Sequence, residues 1–203
     1  HWDSRPWADN DPDQSNWKKP IIAANDAASG VAVMLELARI INNGKAEKAL
    51  RPQLGVDFVC FDAEDWGTPQ WADVPDDADS WALGAQYWSK NLPQGYEARY
   101  GILLDMVGGV GAQFFQEGMS LQYAPEIVKK VWRSAREVGF GSYFPKRMGG
   151  MVTAMPRFLQ LISFLFIPIV SKVASDQRGI RWPITWKTST EIRSEPWDRR
   201  LFK

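Results

Sequence analysis

The sequence predicts an α/β domain with a mainly parallel central sheet flanked by helices, and three observations support this fold class. Two short runs, at residues 56–61 and 100–107, are almost continuously apolar, which is typical of parallel strands covered on both faces. Two longer segments, 27–42 and 125–138, carry apolar residues at helical spacing. Because predicted helices and apolar strands alternate along the chain, a parallel sheet is favoured.

The first half of the chain is predicted to form a loop, a helix, a strand and a second loop, in that order. Residues 1–20 are rich in Asp, Asn, Pro and Trp and lack periodicity, which predicts a long loop. A helix is expected over 27–42, ending at an Asn-Asn-Gly stop signal, and Asp26 stands at its start. The predicted strand at 56–61 is followed by an acidic loop that reaches about Asp79.

The second half continues the alternation as far as Gly150. A helix is expected through Trp81 and Trp88, followed by the strand at 100–107 and the helix at 125–138. The apolar face of this last helix is predicted to contain Ile127, Val128, Val131, Trp132 and Ala135. Beyond Gly150 the periodicity is weak.

Composition limits the classes of function. The 203 residues fit a single domain, 1–203, with enough apolar content for a core. With 24 basic and 24 acidic residues the net charge is zero, which gives no support to a nucleic-acid partner or to binding of an anionic membrane. The lone Cys60 excludes an intrachain disulfide and is predicted to fill the core. Residues 158–170 are too short for a membrane span and contain Pro168, so they are also predicted to be core.

Acidic residues and one histidine come from separate elements that are expected to meet at one edge of the sheet, where ligands bind. They are His1 and Asp3 in the loop, Asp26 at the helix start, Glu64 and Asp65 after the first strand, and Asp105 near the end of the second. Zinc accepts carboxylate and imidazole ligands, and a catalytic zinc keeps one position open. Simpler interpretations stay open, because Asp26 fits a helix N-cap and the Glu64–Asp65 pair fits a solvated acidic turn.

Four ordered motifs resemble those of the M28 family of zinc peptidases. They are His-Trp-Asp-Ser-Arg-Pro at 1–6, Asn-Asp-Ala-Ala-Ser-Gly-Val at 25–31, Asp-Ala-Glu-Asp at 62–65 and Leu-Leu-Asp-Met-Val-Gly at 103–108. Within the family, segments 67–70, 83–89 and 141–144 are more similar to zinc-dependent glutaminyl cyclases, specifically bacterial members that look like the mammalian enzymes. The resemblance covers residues 1–153. It implies an aminopeptidase-like α/β/α sandwich with further strands upstream of His1.

The resemblance also implies an activity, which is cyclisation of an N-terminal glutamine to pyroglutamate with loss of ammonia. Asp26 and Asp65 would bind one zinc ion, Glu64 would move the proton, and Asp105 would assist that transfer as a buried carboxylate. Trp66, Trp71 and Trp186 would line the substrate pocket. Substrates would be peptides or proteins with N-terminal glutamine, and related enzymes suggest a periplasmic or secreted location.

The last quarter of the chain departs from the family pattern. The third zinc ligand in the family is a histidine in a Thr-Trp-His-Thr motif, but Lys187 stands at that position. Ala154 likewise replaces an expected aspartate. Since a protonated lysine cannot coordinate zinc, three explanations compete: an inactive homologue, altered chemistry, or errors in the written sequence. The third is favoured, because residues 171–179 return to a family-like pattern.

Two other functions remain as alternatives to a glutaminyl cyclase. An M28 aminopeptidase would use His1 to bind a second zinc, with Asp26 bridging the two ions. A catalytically inactive homologue would keep the pocket and lose the metal, and Lys187 is its main support. Metal stoichiometry separates the three.

Overall fold

In the computed structural model, residues 1–42, 55–149 and 164–168 are described. The helices are α1 (Ala28–Asn42), α2 (Leu83–Lys90), α3 (Gly118–Tyr123) and α4 (Pro125–Glu137), and the strands are β1 (Gly101–Asp105) and β2 (Phe164–Pro168). Short 3-10 turns lie at Gln14–Asn16, Ala78–Ser80 and Gly141–Tyr143. Within these ranges no helix is both long enough and apolar enough to cross a membrane.

β1 and β2 form a parallel pair. Gly101 lies opposite Phe164, and Asp105 lies opposite Pro168 at the other end of the ladder. β1 confirms the strand predicted at 100–107, and the parallel orientation agrees with the predicted fold class. β2 was not predicted as a strand, because its apolar sequence fits any buried segment.

The strand predicted at 56–61 is wrong for the described part of the chain. Residues 55–61 are assigned to no helix or strand, although the Phe61 carbonyl accepts a hydrogen bond from the Trp2 amide at 3.0 Å. Val56 is 47% exposed, and Cys60 is also exposed rather than buried in the core. The physical reason is that a strand needs a neighbouring row of backbone partners, and no described segment supplies one along 55–61.

α1 confirms the helix predicted from periodicity, and its first turns are joined to β1 and the loop after it. A β-carbon on Gly30 would lie 2.5 Å from the Leu104 carbonyl oxygen, so only glycine allows this approach. Ser29 Oγ accepts a hydrogen bond from the Val107 amide at 3.0 Å, and Asn25 Oδ1 accepts one from the Gly108 amide at 2.8 Å. These contacts hold the start of α1 beside the end of β1.

α4 carries the best-packed part of the described core. Val128 and Trp132 are fully buried, and Phe114, Leu121, Ile127, Val131 and Phe144 pack around them. Trp132 donates its indole hydrogen bond to the Pro145 carbonyl at 3.0 Å, which satisfies the ring's only polar group. The apolar face predicted for residues 125–138 is therefore confirmed.

One helix prediction needs correction, and one helix was not predicted. α2 starts at Leu83, and Trp81 precedes it, because Ala82 adopts a left-handed φ of 52° that interrupts a helix. α3 was not predicted, because six residues are too few to show a helical period. Its signal is Glu117, whose buried carboxylate accepts hydrogen bonds from the amides of Met119 and Ser120 and caps the helix.

Candidate metal and catalytic site

His1 lies at the centre of the acidic residues predicted to form a site. Its Nε2 lies 2.8 Å from Asp26 Oδ1, 3.5 Å from Asp105 Oδ1 and 3.7 Å from Glu64 Oε2. Its Nδ1 lies 3.0 Å from Asp3 Oδ1. The His1 side chain is only 2% exposed, whereas that of Asp26 is 41% exposed. The structure therefore brings four separate segments together, with Asp26 on the side open to solvent.

Two groups of side chains have the spacing of metal ligands. His1, Asp26 and Asp105 form one group, His1, Glu64 and Asp65 form the other, and the ligand atoms within each lie no more than 4.8 Å apart. Asp105 Oδ1 is buried without a hydrogen-bond partner among the described residues. Its charged neighbour is His1 Nε2 at 3.5 Å, which is longer than a strong hydrogen bond, so a cation beside this buried oxygen would satisfy it better. The donor set of carboxylates and one imidazole fits zinc.

The crowding of charges changes the protonation of the cluster. Burial by itself would lower the pKa of His1, but close contacts with Asp105 and Asp26 and the charge of Glu64 raise it to about 11. Burial raises the pKa of Glu64 to about 8. The charge of His1 opposes this rise, and the charge of Asp65 adds to it. Burial and the charge of Asp26 raise the pKa of Asp65 to about 6. A protonated His1 therefore partly neutralises the carboxylates of the metal-free cluster.

Asp3 contacts both His1 and the backbone of Glu64 and Asp65, a role that the sequence analysis did not assign to it when placing it among the acidic residues of the site. Besides contacting His1, its two carboxylate oxygens accept hydrogen bonds from the amides of Glu64 at 3.2 Å and Asp65 at 3.1 Å. The signal available in the sequence was its spacing two residues after His1. Neighbouring groups of this kind orient metal ligands and are important for metal affinity.

The start of α2 binds the other side of the same loop. The amides of Ala82, Leu83 and Gly84 donate to the carbonyls of Glu64, Ala63 and Asp62 at 2.9, 3.0 and 2.9 Å. A β-carbon on Gly84 would lie 2.4 Å from the Asp62 carbonyl oxygen. The loop that carries Glu64 is therefore in direct backbone contact with α2.

Arg5 is a residue that sequence analysis missed as part of the site. Its guanidinium donates to the carbonyls of Asp65 at 3.1 Å and Trp66 at 3.0 Å. It also forms a two-point ion pair with the fully buried Asp9, at 2.7 and 2.5 Å. Although burial opposes ionisation, these hydrogen bonds from Arg5 hold the pKa of Asp9 below its usual value.

The predicted pocket residues Trp66 and Trp71 lie in one aromatic cluster directly after Asp65. Trp7 contacts both, with ring centroids 5.5 Å from Trp66 and 5.7 Å from Trp71. Trp66 is 48% exposed and can contact a ligand. Trp186 and Lys187, the other two predicted site residues, lie outside the described ranges.

Three residues other than glycine beside the site have left-handed backbone conformations. They are Ala63 (φ 50°), Ala82 (φ 52°) and Met106 (φ 48°). Ala63 precedes Glu64, Ala82 precedes α2, and Met106 follows Asp105. Backbone strain of this type is concentrated at functional sites in proteins.

Comparison with known proteins places these features in context. The model of peptidase family M28 matches residues 1–153. Among curated protein sequences, no match was found.

Solved structures resemble the chain over most of its length. A glutaminyl cyclase from Bacteroides thetaiotaomicron bound to N-acetylhistamine is 44% identical, with a TM-score of 0.76 over 92% of this chain and 61% of that structure. A glutaminyl cyclase from Tannerella forsythia is 45% identical, with a TM-score of 0.76 over 90% and 62%. A Zn-dependent exopeptidase from Parabacteroides distasonis is 44% identical, with a TM-score of 0.76 over 86% and 59%. The chain thus spans about three fifths of the length of each of these structures.

Proposed function

Because the chain belongs to peptidase family M28, we propose that it is a zinc-dependent glutaminyl cyclase, which converts the N-terminal glutamine of peptides or proteins to pyroglutamate and releases ammonia. Its helices and strands belong to an M28 zinc-peptidase-like fold. Our proposal extends to the complete α/β/α sandwich around a mainly parallel sheet, and to a periplasmic or secreted location by analogy with related enzymes.

The observation that carries the proposal is the environment of Glu64. Its carboxylate lies 3.7 Å from the imidazole of His1 and is surrounded by the carboxylates of Asp26, Asp65 and Asp105, and in the metal-free protein burial raises its pKa to about 8. A group with a pKa near neutrality can both accept and return a proton during turnover. Cyclisation needs this, because the attacking amine must lose a proton and departing ammonia must gain one.

The residues that would hold a single zinc ion are Asp26 and Asp65, with the side chain at position 187 as the third ligand. Asp26 Oδ1 lies 2.8 Å from His1 Nε2, and a carboxylate oxygen of Asp65 lies within 4.8 Å of a ring nitrogen of the same histidine. When bound, zinc supplies Lewis-acid polarisation of the γ-carboxamide carbonyl of the substrate glutamine. Two groups of donor atoms with metal-ligand spacing, one containing Asp26 and the other Asp65, support a cation in this cluster, and both groups also include His1.

Glu64 and Asp105 carry the proposed proton transfer. Glu64 accepts a proton from the substrate α-amine as the amine nitrogen attacks the γ-carbonyl carbon and closes the five-membered lactam. Glu64 then donates this proton to the γ-nitrogen, the bond from that nitrogen to the γ-carbon breaks, and ammonia leaves. Asp105, which is mostly buried next to His1, assists by stabilising the proton within the cluster.

The aromatic cluster supports a pocket for the substrate chain. Trp66 and Trp71 follow the acidic pair and are both partly exposed, so they can contact a peptide held at Asp26. We include Trp186 in this pocket on the basis of its motif. Aromatic walls suit a substrate whose reacting end is small and whose following residues vary.

An M28 aminopeptidase is the second candidate, and one observation favours it. The two potential ligand groups together contain His1 and four carboxylates, and these five donor residues are enough for two metal ions. The similarity to a Zn-dependent exopeptidase supports the same alternative. Metal content distinguishes the two, because one zinc per chain is expected for the cyclase and two for the peptidase.

The test measures metal content and both activities on the same protein. Purified protein is analysed for zinc per chain, then assayed for ammonia release from a Gln-Phe peptide and for residue release from a Leu-Phe peptide. The Glu64→Gln variant controls for contaminating enzymes. Ammonia release that is lost in this variant supports the cyclase, whereas peptide cleavage with two zinc ions overturns it.

A crystallographic measurement addresses the departure at position 187. Anomalous scattering at the zinc edge should show one peak in contact with Asp26, Asp65 and the side chain at 187. An imidazole-shaped density at 187 would identify the written lysine as a sequence error. Absence of zinc, together with clear lysine density, would contradict the proposal and favour an inactive homologue.

A further inference from the structure

The buried ion pair between Arg5 and Asp9 has no role in the proposed zinc binding or proton transfer. The Arg5 side chain is 9% exposed and that of Asp9 is fully buried, so both charges are almost removed from water. Such a pair requires complete hydrogen bonding to be tolerated. Arg5 achieves this by donating to backbone carbonyls of a single loop, including that of Thr68 at 3.4 Å.

Three sets of contacts hold the loop from Asp62 to Gln70, in addition to single hydrogen bonds from the Gly67 amide to the Ser80 carbonyl and from the Asp77 amide to Thr68 Oγ1, both at 3.2 Å. Asp3 accepts hydrogen bonds from its amides at Glu64 and Asp65. The start of α2 donates to its carbonyls at residues 62–64. Arg5 donates to the carbonyls that follow, at residues 65, 66 and 68. Arg5 therefore fixes the part of the loop that the other two anchors do not reach.

Asp9 extends this contact to the far end of the loop. Its Oδ2 accepts a hydrogen bond from the Gln70 amide at 3.0 Å while its two oxygens also bind Arg5. One ion pair thus contacts the backbone at Asp65 and again at Gln70. Movement of either charge would change the direction of the whole 65–70 segment.

The aromatic rings around Arg5 connect the ion pair to the tryptophan cluster. The guanidinium carbon lies 4.8 Å from the Trp81 ring centroid and 5.6 Å from that of Trp7. Trp7 in turn packs on Trp66, the residue after Asp65. Planar guanidinium groups stack on aromatic rings and bind carboxylates at two points, which a lysine ammonium cannot do in the same geometry.

We propose that Arg5, fixed by Asp9, is a positioning residue that sets the orientation of the Asp65 carboxylate and of the Trp66 ring. The inference rests on the proposed function in one respect, namely that Asp65 binds zinc and Trp66 contacts substrate. Arg5 acts through the backbone of the loop and touches neither zinc nor substrate. Its role is to hold a metal ligand and a pocket wall in fixed relation.

The test compares Arg5→Lys and Asp9→Asn with a matched control, Arg39→Lys. Arg39 also forms a two-point ion pair, with Glu36, but it is exposed on α1 away from the acidic cluster. Zinc affinity is measured by competition with a chromophoric chelator, and kcat and KM are measured for a Gln-Phe peptide at saturating zinc. Hydrogen exchange at the amides of residues 66–68 and of Gln70 is measured on metal-free protein, since Pro69 has no amide hydrogen.

The expected result separates positioning from general stability. Both test variants should bind zinc about 10-fold more weakly and show a raised KM, because loss of groups that orient a ligand typically weakens metal affinity at least to this extent. Exchange at residues 66–68 and at Gln70 should become faster in both, and the control should match the wild type. A purely structural role would lower kcat through a smaller folded fraction and leave KM and zinc affinity unchanged.

Contrary outcomes are equally definite. Folded variants whose zinc affinity, KM and exchange lie within twofold of the wild type overturn the proposal. If Arg5→Lys does not fold, Asp9→Asn decides, since it keeps the side-chain size. If the wild type neither binds zinc nor releases ammonia, the proposed function fails, and hydrogen exchange alone then decides whether Arg5 orients the loop.

Discussion

Substitution of Gly84 by alanine tests whether the Asp62–Gln70 loop, which carries Glu64, depends on its close contact with α2. The new β-carbon would lie 2.4 Å from the carbonyl oxygen of Asp62 and 2.7 Å from its nitrogen, whereas real β-carbons keep at least 3.0 Å. The loop must therefore move by roughly 0.6 Å to accept the methyl group, by the close-packing argument. Overpacking of this kind costs about 1–3 kcal/mol, partly offset by up to about 1 kcal/mol of better helix propensity.

The expected net loss of stability is thus small, whereas the expected loss of activity is large and easier to measure. A net cost of about 1 kcal/mol lowers the melting temperature of a chain of this size by about 2–4 °C. A displacement approaching 1 Å at reacting groups can cost about 100-fold in rate, so a shift of this size carried to Glu64 should lower kcat/KM by about 10-fold or more. Steady-state ammonia release and thermal unfolding measure the two effects.

Gly55→Ala is the matched control. A β-carbon at Gly55 would meet no atom of the described residues within 4 Å, so this variant should keep both activity and melting temperature. If Gly84→Ala behaves like Gly55→Ala in both assays, then α2 does not set the position of the Asp62–Gln70 loop, and the reasoning from this contact is refuted.

Three further predictions concern the acidic cluster and its surroundings. Glu64→Gln should lower kcat by about 10²–10⁴-fold while zinc content stays unchanged, and a loss of zinc instead would place Glu64 among the metal ligands. Lys187→His should strengthen zinc binding at least 10-fold by chelator competition, because it restores an imidazole ligand, and unchanged affinity would argue against a ligand at 187. The lowered pKa of Asp9 means that its stabilising effect is complete above the ordinary value of 3.8 and is lost as pH falls through the lower folded value. Wild type should therefore melt above Asp9→Asn near neutral pH, and the two melting temperatures should converge in strong acid. A difference independent of pH would contradict the assigned role of the Asp9 charge.

Helices could be predicted where they are long enough to show the helical period in the sequence and where one continuous face packs on the core. α4 is an example, because Val128, Trp132 and Ala135 recur at helical spacing and are buried in the structure. The strand prediction at 56–61 failed because an apolar run reports a tendency to avoid water but does not supply a hydrogen-bonding partner. Strand pairing depends on segments distant in sequence, which a local pattern cannot identify.

Sequence analysis likewise predicted some features of the site and missed others. His1, Asp26, Glu64 and Asp105 were identified from their positions after predicted elements and from motif resemblance, and the structure brings them within contact distance. Arg5 was missed and Asp3 was given no role, because their partners are backbone groups about 60 residues away. A carboxylate or guanidinium that binds backbone leaves no complementary side chain in the sequence to indicate its target.

The left-handed conformations of Ala63, Ala82 and Met106 have a consequence for attempts to make this protein more heat-resistant. Each of these backbone conformations costs about 1–3 kcal/mol, which glycine would largely avoid. A stability screen should therefore favour glycine at these positions, which lie directly before Glu64, directly before α2 and directly after Asp105. Because such gains often lower activity, variants selected for heat resistance alone should accumulate changes that make them poorer catalysts.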